Sequence, residues 1–220
     1  MRPKTTPLQG LPELVEAITR TDWTTWTQRW LEKDAEALAA HLWAPDTDSD
    51  WLWCLGLPIL SQAEQSINNS HRILIGLSAL PGCGKTTFGQ WLEAAAKSLD
   101  LAIQVISIDD FYLPAAEMEQ AMAGNPWGVP RALPGSHDIV LMAECLSRWK
   151  QGSSVTLPLF DKALRQGRGD RCGSCKCNAD VLVLEGWFLG CSPLRDGETL
   201  EQGTEHLQSP LTMAELNCRR

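Results

Sequence analysis

An α/β fold built on a parallel sheet flanked by helices follows from three features of this 220-residue sequence. RILIGLSA (72–79) is a nearly continuous apolar run, the pattern of a strand covered on both faces. It feeds directly into a glycine loop, after which KTTFGQWLEAAAKSLD (85–100) places Phe88, Trp91, Leu92, Ala95 and Leu99 on one helical face. Two further buried-strand runs follow, LAIQVISID (101–109) and DVLVLE (180–185). Strand, loop, helix and strand in that order form the repeating unit of α/β proteins.

The remaining elements fit around that unit. Residues 1–70 read as an N-terminal helical region packing on the sheet domain. Over 11–43 apolar side chains recur at helical spacing, with Trp23, Trp26 and Trp30 on one face. Such a stripe is what any amphipathic helix shows, so it is read as core rather than as a ligand-stacking box. APDTDSD (44–50) is a polar linker, and WLWCLGLPILSQAEQSI (51–67) a second helix. Residues 138–150 read as a helix and 154–160 as a strand. No internal repeat is present.

Bulk properties narrow the function. A net charge of −8 argues against general nucleic-acid binding, which needs a positive surface to displace counterions from phosphates. A small-molecule substrate is expected instead. No apolar run reaches the ~20 residues of a membrane helix. MRPKTTPLQG (1–10) lacks the apolar core of a secretory signal, so a cytoplasmic protein with no membrane partner is expected. Composition carries no signal for oligomeric state. In a reducing compartment the eight cysteines remain mostly thiols. CGSCKC (Cys172, Cys175, Cys177) is close enough in spacing for a shared metal, but no fourth ligand stands nearby, and a surface loop is the alternative.

The glycine loop carries the chemistry. Ala79, Leu80, Pro81, Gly82, Cys83, Gly84, Lys85, Thr86 and Thr87 meet the pattern [AG]-x-x-x-x-G-K-[ST], with alanine at the first position, where the strand ends and a methyl is tolerated. With a strand before it and a helix after, backbone amides and the positive helix end converge where phosphate oxygens would sit. The sheet is therefore predicted to be of the P-loop NTPase type, with ATP bound at the loop. Lys85 would reach the β and γ phosphates and Thr86 would hold Mg2+.

Such a loop does not distinguish kinase from ATPase or GTPase; the segments after it do. SIDDFYL (107–113) follows the second buried strand, at the edge where ligands gather in open α/β sheets. Its Asp109 and Asp110 can orient an acceptor hydroxyl, take its proton or hold Mg2+ through water, or serve only as turn caps. Glu185, at the end of the third strand, is a second acid for Mg2+. PRALPGSHD (130–138) gathers an arginine, a histidine and an aspartate. In LPLFDKALRQGRGDR (157–171), Lys162, Arg165, Arg168 and Arg171 form a local positive run that can receive a carboxylate or phosphate, or can be a solvated loop.

IGLSALPGCGKTTF, SIDDFYL, PRALPGSHD, LPLFDKALRQGRGDR and VLVLEGWFLG stand in the order and nearly the spacing of the plant- and cyanobacterial-type D-glycerate 3-kinases and their fungal relatives, and the chain resembles them over roughly residues 50–195. These belong to the P-loop kinase group of uridine kinase, phosphoribulokinase and pantothenate kinase. The resemblance implies a P-loop kinase domain over 71–195 that moves the γ-phosphoryl of ATP to the 3-hydroxyl of D-glycerate, as in photorespiratory carbon recovery. Asp109 matches the acidic base and Glu185 the acid of the E-G pattern, while Tyr112 shares Asp109's D-x-F-Y motif. Asp110, Tyr112, Arg131, His137, Asp138, Asp161, Lys162 and Arg168 fall to the acceptor side. Ala132 stands where the family loop has glycine. The family continues for about a hundred residues beyond its E-G-W segment, whereas 196–220 is polar and shows no buried strand. A truncated chain lacking the C-terminal part of the fold is expected. Three alternatives follow: a related kinase with another acceptor, a truncated nucleotide-binding protein without activity, and a thiolate metal module at CGSCKC.

Overall fold

The computed structural model describes residues 9–39, 50–187 and 189–190. Most of the APDTDSD linker and the whole of 196–220 lie outside them, as do Cys191 and Cys218. The chain forms two compact units, one drawn from 1–106 and 178–187 and the other from 107–177.

The first unit begins with three short helices, α1 (Leu11–Thr19), α2 (Trp23–Glu32) and α3 (Ala35–Ala39). Asp22 starts α2 by accepting the Thr25 amide at 3.0 Å, filling one of the orphan donors of a helix start. A π-helical turn, Leu52–Gly56, leads into α4 (Leu57–Asn68), so the second N-terminal helix is continuous but widened at its start. The Trp stripe is core: Trp26 and Trp30 are fully buried and both indoles donate to Ser61 on α4, at 2.9 and 3.0 Å. The same cluster takes in Leu52, Leu57, Leu60, Trp91, Leu92 and Val183.

Gly56 lets that turn lie against α5 (Lys85–Ser98), because a Cβ there would sit 2.5 Å from the Trp91 ring. Gly89 does the same for α5 against the sheet, where a Cβ would meet Val105 at 2.9 Å. The sheet has β5 (Val181–Gly186) at its centre, between β1 (Ile73–Ser78) and β2 (Ile103–Ser107). β1 and β5 run parallel from Ile73 opposite Val181 to Ser78 opposite Gly186. The parallel sheet flanked by helices is thus as expected, with one correction to its burial. Only β5 is covered throughout. β1 alternates half-buried with exposed residues, the pattern of a strand covered on one face only, and Leu74 remains 42% exposed.

The second unit starts with a 3-10 turn (Ile108–Phe111) and contains α6 (Ala115–Ala121), α7 (Ile139–Lys150), and a hairpin of β3 (Val155–Asp161) and β4 (Asp170–Cys177). β4 corrects the reading of CGSCKC as a surface loop. Its residues pair antiparallel with β3, with Val155 opposite Cys177 and Leu157 opposite Cys175. Cys175 and Cys177, two apart, share one face of the strand, while Cys172 falls at the bulge between the Leu159–Gly173 and Phe160–Arg171 pairs. Among the described residues no three His, Cys, Asp or Glu side chains gather to hold a metal, which removes the thiolate module.

Candidate active site

On the first unit, the loop between β1 and α5 has the backbone that phosphate binding requires. Gly82 and Gly84 hold φ of 80° and 90°, the left-handed region that side chains disfavour, and Gly84 is the residue from which α5 starts. The first amides of α5 have no carbonyl a turn earlier, so they and the helix dipole are available to an anion. Lys85 is curled onto the loop, donating to the carbonyls of Ala79 at 2.8 Å and Leu80 at 2.9 Å. Register then brings the second acid to the same strand ends, since Glu185 lies beside Leu77. The Glu185 carboxylate is buried and its Oε1 stands 3.5 Å from the Thr86 hydroxyl. One hydroxyl and one carboxylate fit Mg2+, which keeps most of its shell as water and substrate phosphate oxygens. Pro81, Cys83 and Thr87 are exposed along the loop and the first turn of α5.

On the second unit, Asp109, Tyr112, His137 and Lys162 converge although 53 positions separate the first from the last. The 3-10 turn after β2 presents Asp109. Ser107 receives the Asp109 amide at 3.2 Å, and Asp110 receives those of Ser107 and Phe160 at 3.2 Å each. Asp110 therefore fixes the turn with both oxygens, and burial shifts its carboxyl upward against these two bonds. Lys162 Nζ lies 2.5 Å from Asp109 Oδ2. The other oxygen, Oδ1, is buried, has no hydrogen-bond donor in reach among the described residues, and faces His137 Nε2 at 3.9 Å. That separation is too long for a hydrogen bond. Burial works against the Asp109 charge, but His137, the Lys162 ammonium and the Tyr112 hydroxyl outweigh it and hold the carboxyl well below the usual range. Asp109 is accordingly anionic at neutral pH. Tyr112 is shifted the other way, upward, by burial and by Asp109.

His137 is held as firmly as the aspartate. Its ring stacks on Tyr112 with centroids 4.2 Å apart, and Tyr112 and His137 form an isolated β-bridge. Ser136 donates its hydroxyl proton to the Leu133 carbonyl at 2.6 Å, and its oxygen stands 3.3 Å from His137 Nδ1. Ser136 is a residue the sequence reading did not single out; nothing but its place beside the histidine could have marked it.

The other expected acceptor-side residues are anchored in the same unit. Asp138 caps α7 through the Leu141 amide at 3.0 Å and pairs with Arg171 at 2.9 Å. Arg131 donates to the carbonyls of Gly167 and Arg168 at 2.6 and 2.9 Å. Asp161 accepts the Ala163 amide at 2.8 Å, and Arg168 reaches Glu119 at 3.3 Å. Ala132 sits at φ 71°, so the alanine that replaces glycine is in a conformation it resists. Ala132→Gly is expected to raise stability by about 0.5–1 kcal/mol, read as a higher urea midpoint at constant slope. A lower midpoint would mean that the lost methyl contact with the Tyr112 cluster outweighs the relief.

A phosphate loop whose strand neighbours an acid-bearing strand, with a carboxylate turn directly after the next strand, is the arrangement of a P-loop kinase-like fold. The phosphoribulokinase / uridine kinase family profile matches residues 74–192, and the chain belongs to that family. A chloroplastic D-glycerate 3-kinase of Arabidopsis thaliana is 37% identical over 134 residues, 56% of this chain and 29% of that protein. The solved structure of the YGR205w protein is 31% identical with a TM-score of 0.54, covering 61% of this chain and 51% of the other. A D-glycerate 3-kinase from Cryptococcus neoformans superposes at a TM-score of 0.50 and 24% identity, over 76% of this chain and 55% of that one, a likeness of fold. The chain thus spans under a third of the Arabidopsis relative and about half of each solved one. Among the described residues no helix is long and apolar enough to cross a membrane.

Proposed function

We propose that this chain carries the catalytic half-sites of an ATP-dependent kinase that phosphorylates D-glycerate on its 3-hydroxyl, giving 3-phosphoglycerate. The observation that carries the kinase reading is the buried Asp109 oxygen, anionic and without a donor, two residues past the end of β2 in a chain that also bears the phosphate loop. The acceptor rests on the family resemblance of the five motifs and on the Arabidopsis relative.

Each residue then has a task. The loop amides and Lys85 bind the phosphates of ATP, and Lys85 must exchange the Ala79 and Leu80 carbonyls for them. Thr86 and Glu185 hold Mg2+, which when bound offsets the charge of the β and γ phosphates. Asp109 Oδ1 accepts a hydrogen bond from the acceptor hydroxyl and takes its proton as the oxygen attacks phosphorus. A carboxylate of low basicity suffices, because in phosphoryl transfer the bond to the leaving oxygen is largely broken before the nucleophile needs to lose its proton. Lys162 and His137 keep that oxygen charged and aimed, and Arg131 holds the 167–168 backbone beside them.

ADP release from Mg-ATP, with and without D-glycerate, tests the proposal. Glycerate-dependent turnover is expected, and Lys85→Ala should lower it by about a hundredfold or more through lost charge stabilisation. Turnover with another hydroxylated acceptor alone would keep the kinase and overturn the acceptor. A folded chain that releases no ADP with any acceptor would leave a nucleotide-binding protein without activity.

A further inference from the structure

The second unit contains a pocket of about 380 Å³ that no step above uses. Its lining includes the apolar Met118, Met122 and Val129 together with Arg165 and Arg168 from the turn between β3 and β4. Glu119, also in the lining, gives both guanidiniums the same carboxylate oxygen, Oε1, at 2.5 Å from Arg165 and 3.3 Å from Arg168. The two arginines thereby lower the carboxyl's affinity for a proton, Arg165 most of all.

Both parts of this lining are built rather than incidental. A single side chain, Asn125, closes the loop of the apolar part. It donates to the carbonyls of Met122 at 2.7 Å and Val129 at 2.9 Å, and receives the Val129 amide at 3.2 Å. In the basic part, Arg165 and Gln166 hold φ of 53° and 60°, a conformation non-glycine residues resist, and Arg131 ties the following two carbonyls. Such outliers persist only where surrounding contacts hold them, and they gather at ligand sites. The strain places Arg165 and Arg168 side by side at a carboxylate.

We propose that Arg165 and Arg168 form the binding site for the carboxylate of a small organic acid, and that Glu119 is its built-in competitor, displaced when the acid enters the pocket. The inference rests on the small-acid reading of the acceptor and assigns the residues that recognise the acid group. Exchange of one carboxylate for another conserves the charge pairing, so entry costs little. An acceptor without an acid group cannot displace Glu119, and discrimination against neutral polyols follows.

Equilibrium titration of the 220-residue chain, with no ATP present, separates this from the activity reading. The probes are D-glycerate, inorganic phosphate and glycerol, followed calorimetrically. Glu119→Gln removes the competitor's charge and is expected to tighten D-glycerate about threefold, the scale of one exposed ion pair. Arg165→Met with Arg168→Met should weaken it about tenfold or more, while glycerol is bound by none of the three proteins. Phosphate showing this pattern in place of D-glycerate would keep the anion site and overturn glycerate as its ligand. Affinities unmoved by either change, in variants whose melting temperature matches the parent, would overturn the site itself.

Discussion

Asp109→Asn is expected to cut glycerate-dependent turnover by about 10²–10⁴-fold while leaving ATP affinity within about twofold. The isosteric amide keeps the shape of the turn, because the bonds that fix it go to Ser107 and to the two oxygens of Asp110. What it removes is the negative charge that Lys162 holds beside His137, and with it the buried carboxylate oxygen that has no donor among the described residues. The phosphate loop belongs to the other compact unit, so nucleotide binding should not follow the loss. The pH profile adds a second reading. Since the folded site holds Asp109 below the usual carboxylate range, the wild-type rate should stay level as pH falls through 5, where an ordinary carboxylate would begin to protonate. An asparagine variant with full turnover, or a wild-type rate that already halves near pH 5, would remove Asp109 from the reaction.

The phosphate side was legible in the sequence because its chemistry is local. Eight consecutive residues, Ala79 to Thr86, set the glycine φ angles, the lysine and the threonine, and the apolar runs on either side state their own partners. Glu185 came from the same logic, since a buried strand ending in an acid has few other reasons to do so. The acceptor side could not be read that way. Asp109, His137 and Lys162 share no periodicity, and what joins them is a hairpin and an isolated bridge between Tyr112 and His137. Asp109 was marked by its place after a buried strand, and His137 and Lys162 by their charged loops, but only the order of whole motifs, as a family resemblance, joined the three. β4 escaped for a different reason: DRCGSCKC has no β-branched residue, and its strand character comes entirely from pairing with β3. Glu119 lies on α6 with nothing in its neighbourhood to distinguish it from any solvated glutamate until Arg165, 46 positions on, is placed beside it. The tryptophan stripe was legible as core, yet its polar partner Ser61 was not, because Trp26 lies 35 positions away and the serine reads as an ordinary helix residue.

Ser61 is where the largest stability effect is expected. Its hydroxyl has one proton and two lone pairs, and all three are used: Oγ donates to the Leu57 carbonyl at 2.8 Å and accepts from the indoles of Trp26 and Trp30. Ser61→Ala leaves two N–H donors inside a wall of leucine and tryptophan where water does not reach. The missing bonds matter less than the orphaned groups, each of which costs about 1–3 kcal/mol of desolvation, so a total near 3 kcal/mol is expected. Against a stability of about 5–15 kcal/mol that is a large share, and for a chain of this size the melting temperature should fall by roughly 6–12 °C. Pairing the change with Trp30→Phe separates the terms. Taking away one donor along with its acceptor removes one orphan, so the double variant should lose less than the sum of the two single ones. If Ser61→Ala melts within about 0.5 kcal/mol of the parent, the indoles have found other partners and the serine is packing, not anchoring, the helical layer.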